Sequence, residues 1–113
     1  VKHILIVDDE EAVGYVFERY LALKGYRVSL AYSGEQALEA FGRDRPDLVI
    51  TDHKMPGMNG DELLRRLRAL APELPAILIS ANPIEVGPTL DGVRFFPKPV
   101  SLETLFEHVA AIL

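Results

Sequence analysis

The chain has no cysteine, which excludes a disulfide framework and a thiolate metal site. It has no apolar run approaching the ~20 residues of a membrane span, and its start lacks the layout of a secretory signal. Internal repeats, low-complexity tracts and Pro/Ser linkers are also missing. Its 113 residues are therefore expected to form one domain, residues 1–113, around a single core. Cations are in the minority, with 12 Lys and Arg against 17 Asp and Glu and a formal net charge of −5. A field of that sign argues against this domain binding nucleic acid directly. No membrane association and a cytoplasmic location are expected.

What the chain does have is a regular alternation of two patterns. His3–Val7, Arg27–Ala31, Asp47–Thr51, Ala76–Ser80 and Val93–Phe96 read as strands. Between them lie helical patterns. The first runs from about Glu10 to Lys24, with Val13, Val16, Phe17 and Tyr20 on one face and Gly25 as its stop. The second opens at Ser33, a capping hydroxyl with Gln36 placed to complete a capping box. The third carries Leu63, Leu64, Leu67 and Leu70 and ends before Pro72; the last begins at Ser101 and buries Leu105, Phe106, Val109 and Ile112. Strict alternation of strand and helix predicts a parallel sheet covered on both faces.

The strands also differ in kind. "ILIV", "LVI" and "AILI" are continuous apolar runs, as central strands covered on both sides require. "RVSLA" alternates, with Val28 and Leu30 inward, and "RFFP" carries Pro97 near its end, so both read as edges. The resulting fold class is α/β, a flavodoxin-like doubly wound sheet of order 2-1-3-4-5. Such sheets carry their chemistry beyond the carboxyl ends of the strands, where strand order reverses. Asp8, Asp9 and Glu10 follow the first strand and Asp52 follows the third.

Three carboxylates about 5 Å apart at an effective dielectric near 20 repel by about 3 kcal/mol per pair. A domain stable by only ~5–15 kcal/mol needs that offset. A raised pKa, a chain cation or a bound metal would each do so. Without His or Cys in the set the metal would be a hard ion on oxygen ligands, and Mg²⁺ fits. Lys98, after the fifth strand, is the available cation, and Ser80 ends the fourth strand as a hydroxyl donor. The set suits attack on phosphorus by a carboxylate. Asp52 stands alone on a central strand and is the best nucleophile; Asp8 and Asp9, adjacent in sequence, are better placed as metal ligands. Taken singly, the acids after the first strand read as a helix cap, and the aspartate, lysine and serine as loop residues. The joint placement favours a site.

"VDDE", "DLVITDHKMPGMNG", "ILISA" and "FFPKP", in that order and across the whole chain, resemble the receiver domains of two-component response regulators. The resemblance implies that Asp52 accepts a phosphoryl group, and that Asp8, Asp9, Asp52 and the carbonyl of Lys54 hold Mg²⁺. It implies that Ser80 is the switch hydroxyl and that Lys98 bridges to the phosphoryl group, followed by a cis bond to Pro99. Phe95 matches the switch aromatic, and Lys54, Ala81 and Asn82 match positions that tune the phosphoryl lifetime. The implied partners are a sensor histidine kinase or histidine phosphotransfer protein and an output domain or downstream protein. His53 is expected as an exposed loop histidine, and His3 and His108 as ordinary strand and helix residues.

One stretch departs from the family. Only seventeen residues separate Ser80 from Lys98, and Gly87-Pro88 stops a helix that Asn82 and Pro83 would start. A shortened or missing fourth helix is the expectation. Two alternatives remain: a pseudo-receiver that only binds partners, and a phosphohydrolase using Asp52. Haloacid-dehalogenase-type phosphatases want a second aspartate where this chain has Lys54.

Overall fold

A computed structural model of the chain describes residues 1–81 and 92–113. The strands are β1 (His3–Val7), β2 (Arg27–Ala31), β3 (Leu48–Asp52), β4 (Ala76–Ser80) and β5 (Val93–Pro97). The helices are α1 (Glu11–Leu23), α2 (Gly34–Arg43), α3 (Gly60–Leu70) and α4 (Leu102–Ile112). The sheet is parallel throughout, in the order β2-β1-β3-β4-β5. The expected shortened or missing helix between β4 and β5 falls on residues 82–91, outside the described residues, as does Asn82.

The alternating pleat explains why the central strands are apolar without a break. Leu5, Val7, Val49 and Leu78 point to one side and pack with Ala37 and Phe41 of α2 and Leu63, Leu64 and Leu67 of α3. Ile4, Ile6, Ile50, Ile77 and Ile79 point to the other and pack with Leu21 of α1 and Leu105 and Val109 of α4. Every residue of β1, β3 and β4 is buried, whereas Arg27 of β2 and Arg94 of β5 are exposed, as edges allow.

Several local expectations need correction. β3 begins at Leu48 rather than Asp47, although the Asp47 N–H donates to the His3 carbonyl at 2.7 Å and its Oδ2 accepts the His3 N–H at 2.8 Å. The Ser33 hydroxyl caps α2 as expected, accepting the Gln36 N–H at 3.1 Å. The Gln36 carbonyl reaches one residue further back than a capping box requires, to the Tyr32 N–H at 2.9 Å. Val16 is exposed, because the buried stripe of α1 follows Gly14 and Leu21 with Val13, Phe17 and Tyr20 at its margins. Leu70 is exposed at the last turn of α3, and Leu74 fills the core there instead, its carbonyl accepting the Arg68 Nε–H at 2.9 Å. Phe106 and Ile112 are partly buried, Phe106 meeting Tyr20 and Tyr26 edge-on with 6.5 Å between ring centroids.

Candidate phosphoryl-transfer site

Parallel pairing brings the carboxyl ends of β1, β3, β4 and β5 to one edge. Asp8 follows β1, with its N–H donating to the Ala31 carbonyl at 3.1 Å. Asp52 is the last residue of β3, opposite Ile79, and Ser80 is the last of β4, opposite Pro97. Lys98 follows β5, with its N–H donating to the Ser80 carbonyl at 3.1 Å, and the Lys98–Pro99 bond is cis. Residues far apart in the chain therefore share one small volume. A cavity of about 400 Å³ is lined by Asp9, Glu10, Asp52, Lys54, Ser80, Ala81 and Lys98.

Carboxylate oxygens of Asp8, Asp9 and Asp52 lie within 4.8 Å of one another, Asp8 and Asp52 buried and Asp9 exposed. The Lys98 ammonium sits 2.9 Å from Asp52 Oδ1, which also accepts the His53 N–H at 3.0 Å. Burial pushes the Asp8 carboxyl up to about 6; the Glu10 N–H works against the rise, and the negative charge of Asp52 adds to it. Burial also opposes the charge on Lys98, but its hydrogen bond to Asp52 and the surrounding acids outweigh burial and raise its pKa above the ordinary lysine value. The raised Asp8 pKa is thus first a mark of burial, with the neighbouring Asp52 charge adding to it and Lys98 opposing it.

Asp8 is not a side-chain cap of α1, whose N-cap Glu10 makes no side-chain cap hydrogen bond. Its Oδ1 accepts the Glu10 N–H at 2.9 Å just before α1, while the carboxylate belongs to the acid cluster. Such a set can hold a small hard cation: all donors are oxygens, they converge, and the cavity leaves room for water ligands.

The family model described as the response regulator receiver domain matches residues 4–110. The chain belongs to that family. The receiver domain is 37% identical over 115 residues to the response regulator MprA of Mycobacterium ulcerans, covering 97% of this chain and 49% of that protein. It thus spans about half the length of the curated relatives it matches. Among solved structures it is similar to the receiver domain of the hybrid histidine kinase CckA, with TM-score 0.85, 39% identity and 98% of each chain covered. It is also similar to the response regulator TrrA of Thermotoga maritima, solved in complex with Mg²⁺-BeF, with TM-score 0.89, 31% identity and 100% of each chain covered. Among the described residues no helix is long and apolar enough to cross a membrane.

Other expected site residues fall as follows. The Lys54 side chain is exposed while its neighbours Met55 and Met58 are buried. Phe95 lies opposite Leu78 and is partly buried against the α2/α3 side of the core. His3 bonds through Nε2 to Ser29 Oγ at 2.8 Å, and His108 through Nδ1 to Arg94 at 2.7 Å, both outside the acid cluster.

His53 is not the exposed loop histidine that the sequence suggested; it is 3% exposed. Continuing the pleat of β3 would have found it. Val49 and Thr51 are buried and Val49 packs on the α2/α3 side, so the next residue of that parity turns the same way. Asp61 is the other residue the sequence did not single out, lying 3.7 Å from the His53 ring.

Proposed function

We propose that this receiver domain, residues 1–113, accepts a phosphoryl group on Asp52 in a Mg²⁺-dependent reaction. The donor would be a sensor histidine kinase or histidine phosphotransfer protein. The observation that carries this reading is the convergence of Asp8, Asp9 and Asp52 within 4.8 Å, with the Lys98 ammonium 2.9 Å from the Asp52 carboxylate. The Mg²⁺-BeF complex of the related TrrA supports it.

In this reading Asp8, Asp9, Asp52 and the Lys54 carbonyl would hold the ion, which would supply positive charge to offset the negative charge of the phosphoryl oxygens. An Asp52 oxygen forms the new O–P bond as the donor's P–N bond breaks and the departing imidazole keeps the electron pair. Lys98 shifts from the carboxylate toward the transferred group, and the Ser80 hydroxyl donates to one of its oxygens. Movement of Ser80 leaves room for Phe95 to turn inward, which changes the face read by an output domain or downstream protein. Lys54 and Ala81, which line the cavity, tune the lifetime of the phosphoryl group, and the resemblance gives Asn82 the same role. The domain supplies the site for its own phosphorylation and dephosphorylation; it works in the cytoplasm and does not itself bind nucleic acid.

The test is to incubate the protein with acetyl phosphate and Mg²⁺ and record its intact mass. One adduct per chain is expected, absent in Asp52→Asn and in EDTA. Multiple turnover of small phosphate esters would point to a phosphohydrolase. No adduct with any donor or metal would point to a pseudo-receiver.

A further inference from the structure

The loop from His53 to Gly60 carries Lys54, and its two ends meet. The Gly60 N–H donates to the His53 carbonyl at 2.6 Å. A Cβ at Gly60 would overlap the Asp52 carbonyl oxygen and lie 2.8 Å from Leu78 Cδ1, so only glycine lets α3 start so close to the acceptor strand. The His53 N–H is shared between the Ile79 carbonyl at 2.9 Å and Asp52 Oδ1 at 3.0 Å. His53 is thus the hub that joins the acceptor carboxylate, β4 and the first turn of α3.

Its ring shares one trait with that of His3 at the far end of the sheet, an unpartnered buried Nδ1, but lies beside the acceptor strand. It is buried, and Nδ1 has no hydrogen-bond partner. Leaving such an atom unsatisfied costs about 1–3 kcal/mol, which an apolar side chain would avoid. Asp61 Oδ1 is 3.7 Å from Nδ1, within about 1 Å of hydrogen-bond distance. The Asp61 carboxylate is itself held, Oδ1 by the Glu62 N–H at 2.8 Å and Oδ2 by Arg65 at 3.1 Å.

We propose that His53 is a positioning residue for Asp52 and Lys54, and that Asp61 is the partner that holds its ring when the divalent cation is bound. The inference rests on the receiver reading. Closing the short gap between ring and carboxylate draws the base of the loop together, so the Lys54 carbonyl and the Asp52 carboxylate keep the spacing a small ion demands. Neither His53 nor Asp61 touches the ion; both act through the backbone between them.

The test is Mg²⁺ titration calorimetry on the full chain, beside melting in EDTA and acetyl-phosphate kinetics at varied Mg²⁺. His53→Leu keeps the packing volume and removes the ring nitrogens. It should weaken Mg²⁺ binding about tenfold, leave the EDTA melting point no lower than the parent's, and recover the parent's phosphorylation rate at saturating Mg²⁺. Asp61→Ala should match it, Asp61→Asn, which keeps an acceptor oxygen, should not, and the double variant should lose no more than either single one. Should His53→Leu fail to fold, the Asp61 pair carries the same test. Parent-like Mg²⁺ affinity in His53→Leu or Asp61→Ala overturns the proposal, as do additive losses in the double variant. A parent that binds no Mg²⁺ and forms no adduct overturns the receiver reading and the proposal together, an outcome distinct from a parent that binds while its variants bind equally well.

Discussion

At the amino end of the sheet Arg27 pairs with Asp44, and Asp47 accepts the His3 N–H, so each of these carboxylates meets a donor. At the carboxyl end Asp8, Asp9 and Asp52 crowd together against Lys98. The pKa shifts follow the difference. The hydrogen bond from Arg27 holds the Asp44 carboxyl below its ordinary value, while burial pushes Asp8 up to about 6. The same residue type is stabilised where it meets a guanidinium in water and destabilised where packing removes the water around it. Two buried carboxylates and one exposed one, gathered at a single sheet edge, are what mark the candidate site here.

The comparison can be broken most severely at the lysine bound to Asp52. Lys98→Ala removes the ammonium bound to Asp52 and close enough to Asp8 to act on it, and phosphoryl uptake from acetyl phosphate should slow about a hundredfold. Intact-mass time courses at saturating Mg²⁺ check this. A rate within twofold of the parent would show that the lysine is a bystander.

A middle-sized effect sharpens the contrast through pH. The Asp8 pKa is higher in the folded chain, about 6 against 3.8 unfolded, so the folded state binds its proton more tightly. Its contribution to the stability of the metal-free protein is therefore full below about pH 4 and lost as pH rises through 6. Asp8→Asn imitates the protonated group and keeps an oxygen for the Glu10 N–H. In EDTA at pH 7.5 it should be more stable than the parent by roughly 2 kcal/mol, with the gap closing near pH 4. Urea melts at both pH values measure it, and an equal gap at both would refute the cause assigned to the shift. Adding Mg²⁺ should reverse the order at pH 7.5, because only the parent keeps its full ligand set.

The smallest effect belongs to the amino end. Arg27→Ala leaves Asp44 exposed to water, which solvates it. Its melting point should move little, still less in high salt, and Mg²⁺ affinity should not change. A Mg²⁺ affinity altered as much as in Asp8→Asn would show that the two ends are not independent.

Much of this was legible in residue order. "ILIV", "LVI" and "AILI" announced central strands because a strand covered on both faces has no polar parity, and β1, β3 and β4 are buried throughout. The site followed from topology, since parallel strands place their carboxyl ends together and Asp8, Asp52, Ser80 and Lys98 all stand at such ends. Among the misses, Val16 and Leu70 lie on helices whose apolar faces are wider than the stripe that is buried, and His53 continues the buried parity of β3 one residue past the strand's end. Gln36 reached the Tyr32 N–H rather than its capping-box partner because local geometry offered two nearby donors, and backbone placement chose one.

The sequence by itself determined where carboxylates, a hydroxyl and a lysine stand along the chain, and that strands and helices alternate, because charge, hydroxyl chemistry and apolar periodicity are properties of the residues and their spacing. Only the tertiary structure decided that Asp8 carries a strained proton equilibrium and that His53 lies buried beside Asp61. Both depend on how much water is excluded at a point where separate chain segments meet, and exclusion of water is a property of the packed molecule rather than of any segment.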